Sequence, residues 1–131
     1  MGMTTDQKGG IALARVLIEA VKKEVPVSVP TLPARYDLVL DYGGRLYRAQ
    51  VKYADSKSPT SQGVIRVDLR RRKRCYTKEE IDVLLVYVPQ IDKVCWFGPE
   101  FFDNKVGLQL RIAPTLNGQK AGCRMVDDYI W

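Results

Sequence analysis

The stretch RYDLVLDYGGRLYRAQVKY (35–53) decides the architecture. Gly43 and Gly44 divide two runs of alternating apolar and polar residues. This is the pattern of a β-hairpin closed by a two-residue turn, since glycine adopts at no steric cost the positive φ such a turn demands. The turn fixes the register. With Tyr42 facing Arg45, Leu40 lies opposite Tyr47, Leu38 opposite Ala49, Asp37 opposite Gln50 and Tyr36 opposite Val51. Side chains alternate between faces. One face carries Tyr36, Leu38, Leu40, Tyr47, Ala49 and Val51 and suits a core. The other carries Asp37, Val39, Asp41, Arg48, Gln50 and Lys52.

Opposed residues of a hairpin have Cβ atoms about 4.5–5.5 Å apart. Asp37 and Gln50 can thus share one cation, with Lys52 a diagonal step away. A carboxylate, an amide oxygen and an ammonium around one spot suit phosphodiester hydrolysis, where negative charge develops and must be neutralised. The same residues also read as plain solvent-facing decoration of an exposed strand.

Working outward, the segment from Thr5 to Glu24 has a broad apolar stripe at helical spacing: Leu13, Leu17, Ala20 and Val21, with Ile11, Ala14 and Ile18 beside them. Thr4 and Gln7 are placed to form a capping box. Gly9 and Gly10 weaken the first turn, and Pro26 and Pro30 open an extended link. Beyond the hairpin, residues 55–63 read as a polar loop. Val64 to Arg70 alternates as a strand, with Ile65, Val67 and Leu69 on one face and Arg66, Asp68 and Arg70 on the other. Arg70 to Arg74 are consecutive basic residues, read as a turn or strand end. Thr77 to Ile81 suits one helical turn. Val83 to Val88 is a buried strand, and Lys93 to Phe97 and Leu108 to Ile112 are further strands. From Pro114 the chain is polar, then ends in Tyr129 and Trp131. The order predicts an α/β or α+β domain around a mixed central sheet.

Composition narrows the chemistry. The 131 residues, 46% hydrophobic, fit a single domain with a real core. No apolar run approaches the roughly 18 residues of a membrane span, and no secretory signal is visible. Cys75, Cys95 and Cys123 are widely spaced and suit reduced thiols in the cytoplasm. Histidine is absent, which excludes Ser-His-Asp, Cys-His and His-metal chemistry. Twenty-one Lys and Arg against 15 Asp and Glu give a net charge of +6. Such a surface attracts polyanions, nucleic acid first among them.

Tyr36-Asp37 followed by Gln50-Val51-Lys52 resembles the PD-(D/E)XK nuclease signature. The chain is similar in particular to the small homing endonucleases of that fold associated with group I introns. Three ordered stretches carry the resemblance. They are Lys8 to Ala12; Arg35 to Val39 through Lys52; and Tyr76, Ile81-Asp82, Tyr87-Val88-Pro89, Leu110 to Pro114 and Asn117 to Gln119. The resemblance implies a restriction-endonuclease-like mixed sheet flanked by helices, and Mg²⁺-dependent cleavage of double-stranded DNA. It implies Asp37, Gln50 and Lys52 as catalytic residues, with Asp37, Gln50 and the Val51 carbonyl as metal ligands. Members of this group usually carry a glutamate in the first helix where this chain has Leu13, and Glu19 lies on another helix face.

The basic residues complete the expectation. Arg66 and Arg70 share a strand face, and Arg71, Arg72, Lys73 and Arg74 continue the run. Arginine on an exposed strand can neutralise phosphate and read guanine, while Asp68 between them can accept from cytosine. Lys8, Arg35, Lys57 and Lys120 are further DNA-facing candidates. One chain offers one site, so cutting both strands calls for a homodimer or higher homo-oligomer. Trp96, Phe101, Phe102 and Trp131 are candidates for that interface or for the core. Two alternatives stand beside site-specific cleavage. One is a Holliday junction resolvase-like nuclease; the other is a DNA-binding form impaired in catalysis by Leu13.

Overall fold

The computed structural model describes residues 2–54, 63–113 and 125–131, and the backbone of 56–57. Its elements in chain order are α1 (Thr5–Lys22), β1 (Val27–Ser28), β2 (Leu38–Tyr42), β3 (Arg45–Tyr53), β4 (Ser56–Lys57), β5 (Val64–Asp68), β6 (Arg70–Arg71), β7 (Arg74–Cys75), β8 (Val83–Val88), β9 (Lys93–Phe97), α2 (Pro99–Phe102) and β10 (Gly107–Arg111), then a 3₁₀ turn at Val126–Tyr129. Most of the polar loop at 55–63, the tail at 114–124, the Lys57 side chain, Lys120 and Cys123 lie outside the described residues.

The central sheet runs β1-β2-β3-β8-β9. All neighbours are antiparallel except β3 and β8, which run parallel. This is the mixed restriction-endonuclease-like sheet that the sequence led us to expect. β2 and β3 pair in the register set by the turn, Leu38 with Ala49 through Tyr42 with Arg45. Gly43 and Gly44 both hold positive φ, 63° and 80°. All six residues of β8 are buried. A strand covered on both faces must read as a continuous apolar run, and this one does.

Two clusters sandwich the sheet. On one face, Leu38, Leu40, Ala49, Val83, Leu85 and Val94 meet Ala12, Val16 and Ala20 of α1. On the other, Leu84, Val86, Val88 and Phe97 meet Ile65, Val67 and Leu69, Tyr76, and Leu108 and Leu110. That second layer is the small sheet β10-β5-β4 rather than a second long helix.

Three expectations are corrected. The buried face of α1 is Ala12, Val16 and Ala20, at i, i+4 and i+8, while Ile11, Leu17, Ile18 and Val21 are exposed. Apolar residues cover most of the helix circumference, and the sheet takes the small ones because they allow close approach. Tyr36 packs with the second cluster, not beside Leu38. Thr77 to Ile81 is a hydrogen-bonded turn and not a helix, tied by the Glu80 and Ile81 N–H groups to the Thr77 carbonyl at 3.0 and 3.1 Å. The capping box at Thr4 and Gln7 forms as expected, with bonds of 2.8 and 3.1 Å. α1 ends where Glu24 turns to φ 58°.

The parallel β3–β8 junction is pinned by the ion pair of Arg48 with Asp82. Asp82 accepts from the Arg48 backbone N–H at 2.8 Å and from its Nε at 3.0 Å, while the Arg48 carbonyl accepts the Asp82 N–H at 2.8 Å. The Arg48 hydrogen bond holds the Asp82 carboxyl below the usual carboxylate range despite its partial burial. Phe102 is fully buried, whereas Trp96 and Trp131 are half-buried and stack with Tyr42 and Tyr47.

Candidate active site

The regular β2–β3 ladder stops at Leu38. One residue earlier the Asp37 N–H turns to the Ala49 carbonyl, at 2.8 Å, out of the ideal register. The Asp37 carboxylate is thereby swung against β3, where Oδ2 accepts the Val51 N–H at 3.0 Å. Asp37 is half-buried, and its other carboxylate oxygen is not used by that bond.

Gln50 and Lys52 lie on the opposite face of β3 from Ala49 and Val51, beside Leu84 and Val86 of β8. That face is roofed by the second cluster, so the expected solvent-facing surface is largely covered. Gln50 is only 5% exposed. Its Oε1 is buried with no hydrogen-bond partner among the described residues, and its Nε2 lies 3.4 Å from the Val51 carbonyl oxygen. An unsatisfied buried amide oxygen costs about 1–3 kcal/mol. Lys52 is half-buried and forms no ion pair among the described residues; its Nζ sits 5.2 Å from the centre of the Tyr76 ring. Burial lowers the Lys52 pKa, and the charges of Arg71 and Arg35 add to this against the pull of Asp68 and Asp37. Burial pushes the Tyr76 hydroxyl up to about 12.

Asp37 opens onto a groove. One cleft is lined by the segment from Pro30 to Ala34 with Tyr36, Asp37 and Arg71. A second, sharing Pro33, Ala34 and Arg71, continues to Arg35, Arg72 and Arg74. The acid is therefore joined by one surface path to a basic hairpin. That hairpin is β6–β7, which pairs Arg70 with Cys75 and Arg71 with Arg74. Arg72 and Lys73 form its exposed tip at φ 53° and 63°. A left-handed conformation costs an L-residue roughly 1–2 kcal/mol, so the tip is strained.

The basic candidates separate by what they already hold. Arg66, Arg70, Arg72, Lys73 and Arg74 are exposed. Arg70 is tied to Asp68 at 3.3 Å, and Arg74 to Glu80 at 2.7 Å. Arg71 is half-buried and donates to the Ala34 carbonyl at 3.0 Å. Lys8 is half-buried in the first turns of α1, away from the basic hairpin in sequence. Arg35 departs from expectation. It is turned into the protein, donating to Glu80, to the carbonyls of Arg71, Arg74 and Cys75, and lying 4.5 Å above the Tyr76 ring. A guanidinium that has four of its five N–H groups engaged has little left for phosphate. Gln109, which the sequence reading did not single out, stands opposite Arg66 on the exposed face of β10 and β5. The alternation of Leu108 and Leu110 around it was the available signal.

The profile of the PD-(D/E)XK endonuclease family matches residues 3–131. The chain belongs to that family. Among solved structures, this PD-(D/E)XK endonuclease is similar to a bacterial homing endonuclease, I-Ssp6803I, with a TM-score of 0.75 and 24% identity, covering 98% of this chain and 89% of the other. That likeness shows the fold. No curated protein matches the chain. No helix among the described residues is long and apolar enough to cross a membrane.

Asp37, Gln50 and Lys52 are the residues that the sequence reading singled out as candidates. Among the described residues no group of three or more acids, cysteines or histidines gathers to hold a metal. Leu13, half-buried, packs against the α1-side cluster and brings no charge. The candidate donors are thus one carboxylate, one amide oxygen and one backbone carbonyl. An all-oxygen set of this kind fits a hard divalent cation that keeps waters and takes ligands from a phosphate. The Gln50 oxygen, without a partner among the described residues, is the acceptor such an ion would satisfy.

Proposed function

We propose that this PD-(D/E)XK endonuclease is a site-specific, Mg²⁺-dependent homing-type nuclease that hydrolyses double-stranded DNA, as the group I intron-associated members do. The observation that carries the reading is the buried Oε1 of Gln50, without a partner among the described residues, on the strand whose Val51 N–H is held by Asp37. Asp37, Gln50 Oε1 and the Val51 carbonyl would hold the cation. When bound it supplies Lewis-acid polarisation of the phosphate and a more acidic water. Asp37 fixes the β3 backbone through the Val51 N–H, which aims the Val51 carbonyl and the Gln50 side chain. The Lys52 ammonium holds its proton at Nζ and neutralises charge that develops on the phosphate oxygens. The exposed arginines of β5 and of the β6–β7 hairpin bind the duplex, chiefly through phosphate.

The test is cleavage of a duplex library and of four-way junctions with Mg²⁺ and with a chelator. Defined double-strand cuts in linear duplex with Mg²⁺ alone are expected. Preference for junctions would instead support a resolvase. Tight duplex binding with no cutting of either substrate would support the impaired form, which the uncharged, core-packed Leu13 favours.

One site per chain calls for a second copy to cut both strands. The face we assign to it is the outward side of α1, where Ile11, Ile18 and Val21 follow each other at helical spacing, Val21 being 76% exposed. A second copy laid antiparallel sets the acidic first turn with Asp6 against the basic end with Lys22 and Lys23. Sedimentation equilibrium should find the parent protein at least dimeric and the I18E/V21E protein monomeric, and the monomer should nick rather than cut through. An unchanged mass for the substituted protein would move the interface elsewhere.

A further inference from the structure

We propose that Arg35 is a positioning residue that locks the basic hairpin to the lysine's platform, and not itself a contact to DNA. The hairpin β6–β7 has two residue pairs, too few to hold its shape alone. Its arginines repel one another, and its tip is held in the left-handed region. Something outside it must fix it. Arg35 does so from one side, donating to the carbonyls of Arg71 at 3.3 Å, Arg74 at 3.1 Å and Cys75 at 2.9 Å, with Nε on Glu80 at 3.1 Å. Arg71 answers from the other side, donating to Ala34, the residue before Arg35, at 3.0 Å. Each arm grips the other's backbone. Glu80 also binds Arg74, so one carboxylate serves both sides.

The clasp ends on Tyr76. Its fully buried ring carries the Arg35 guanidinium at 4.5 Å and Lys52 Nζ at 5.2 Å. The hairpin that meets the polyanion and the lysine of the reaction centre are thus referenced to one rigid group. This inference rests on the DNA-nuclease reading. It assigns Arg35 the work of aiming Arg72 and Lys73, the two exposed tip residues.

Lysine discriminates the alternatives. It keeps the charge a phosphate contact needs but lacks the planar fork that reaches several carbonyls. Equilibrium binding to a mixed-sequence duplex should weaken about tenfold for Arg35→Lys and as much for Arg35→Gln, since both break the clasp. In an Arg72→Ala/Lys73→Ala background, either change should cost less than about twofold, because the residues being aimed are gone. Additive losses in that background, or near-parent affinity for Arg35→Lys, would overturn the proposal. A variant-free reading guards against misfolding. In the parent protein the Arg35 Nε–H resonance should exchange slowly with water and stay put when duplex is added. A shift of that resonance on binding would make Arg35 a direct contact. A parent protein with no affinity for duplex would instead sink the nuclease reading, and this inference with it.

Discussion

Asp37→Asn lowers the single-turnover cleavage rate at saturating Mg²⁺ by about 10³-fold, or about 4 kcal/mol in the barrier. Asparagine keeps an acceptor oxygen for the Val51 N–H, which Asp37 Oδ2 now meets at 3.0 Å. The local backbone, and with it the thermal midpoint, should stay near that of the parent protein. What is lost is the one formal negative charge in the proposed donor set, which otherwise offers an amide and a carbonyl. The concentration of Mg²⁺ at half-maximal rate should rise as well, because hard cations need anionic oxygen. A cleavage rate within tenfold of the parent would remove Asp37 from the reaction. A collapse of the thermal midpoint would show that the carboxylate matters mainly to the hairpin.

Lys52 should leave two opposed signatures in one alkaline window. Burial lowers its pKa in the folded protein below the ordinary 10.5. If the ammonium form does the work, cleavage falls as pH rises through the lowered value, earlier than an ordinary lysine would dictate. Stability moves the other way. Between the lowered folded value and the unfolded value the unfolded chain binds more protons, so unfolding free energy rises with pH. That gain is complete above about the ordinary pKa and is lost as pH falls through the folded one. Lys52→Met should therefore cost about 10²- to 10³-fold in rate near neutral pH and erase the alkaline rise in stability. A parent protein whose cleavage stays flat to high pH, or a methionine variant with near-parent rates, would rule the ammonium out.

Much of this is legible in the amino-acid sequence. The Gly43-Gly44 turn pinned the pairing from Leu38 to Tyr42, because a two-residue turn leaves no freedom in register. The strict alternation of residues 64–70 gave the buried face of Ile65, Val67 and Leu69 correctly. The site was less legible, for reasons of distance along the chain. Local pattern cannot show that β3 pairs in parallel with β8, and this pairing is what places Gln50 and Lys52 against a covered layer. Nor can it show that Asp37 leaves the ideal ladder, since an ideal ladder was the premise. α1 misled because apolar residues occupy most of its circumference, so periodicity alone could not choose between Ala12-Val16-Ala20 and the bulkier exposed stripe. Arg35 misled because composition counts charges and is blind to the carbonyls that claim them.

The parallel pairing of β3 and β8 has a consequence for synthesis. A nascent chain that has emerged as far as Lys52 already carries the acid, the amide and the lysine. It does not yet have Ile65, Val67 and Leu69 of the roof, the basic hairpin or Tyr76, nor β8, which lies beside Gln50. A chain made only that far therefore leaves Gln50 uncovered and lacks the hairpin that Arg35 clasps.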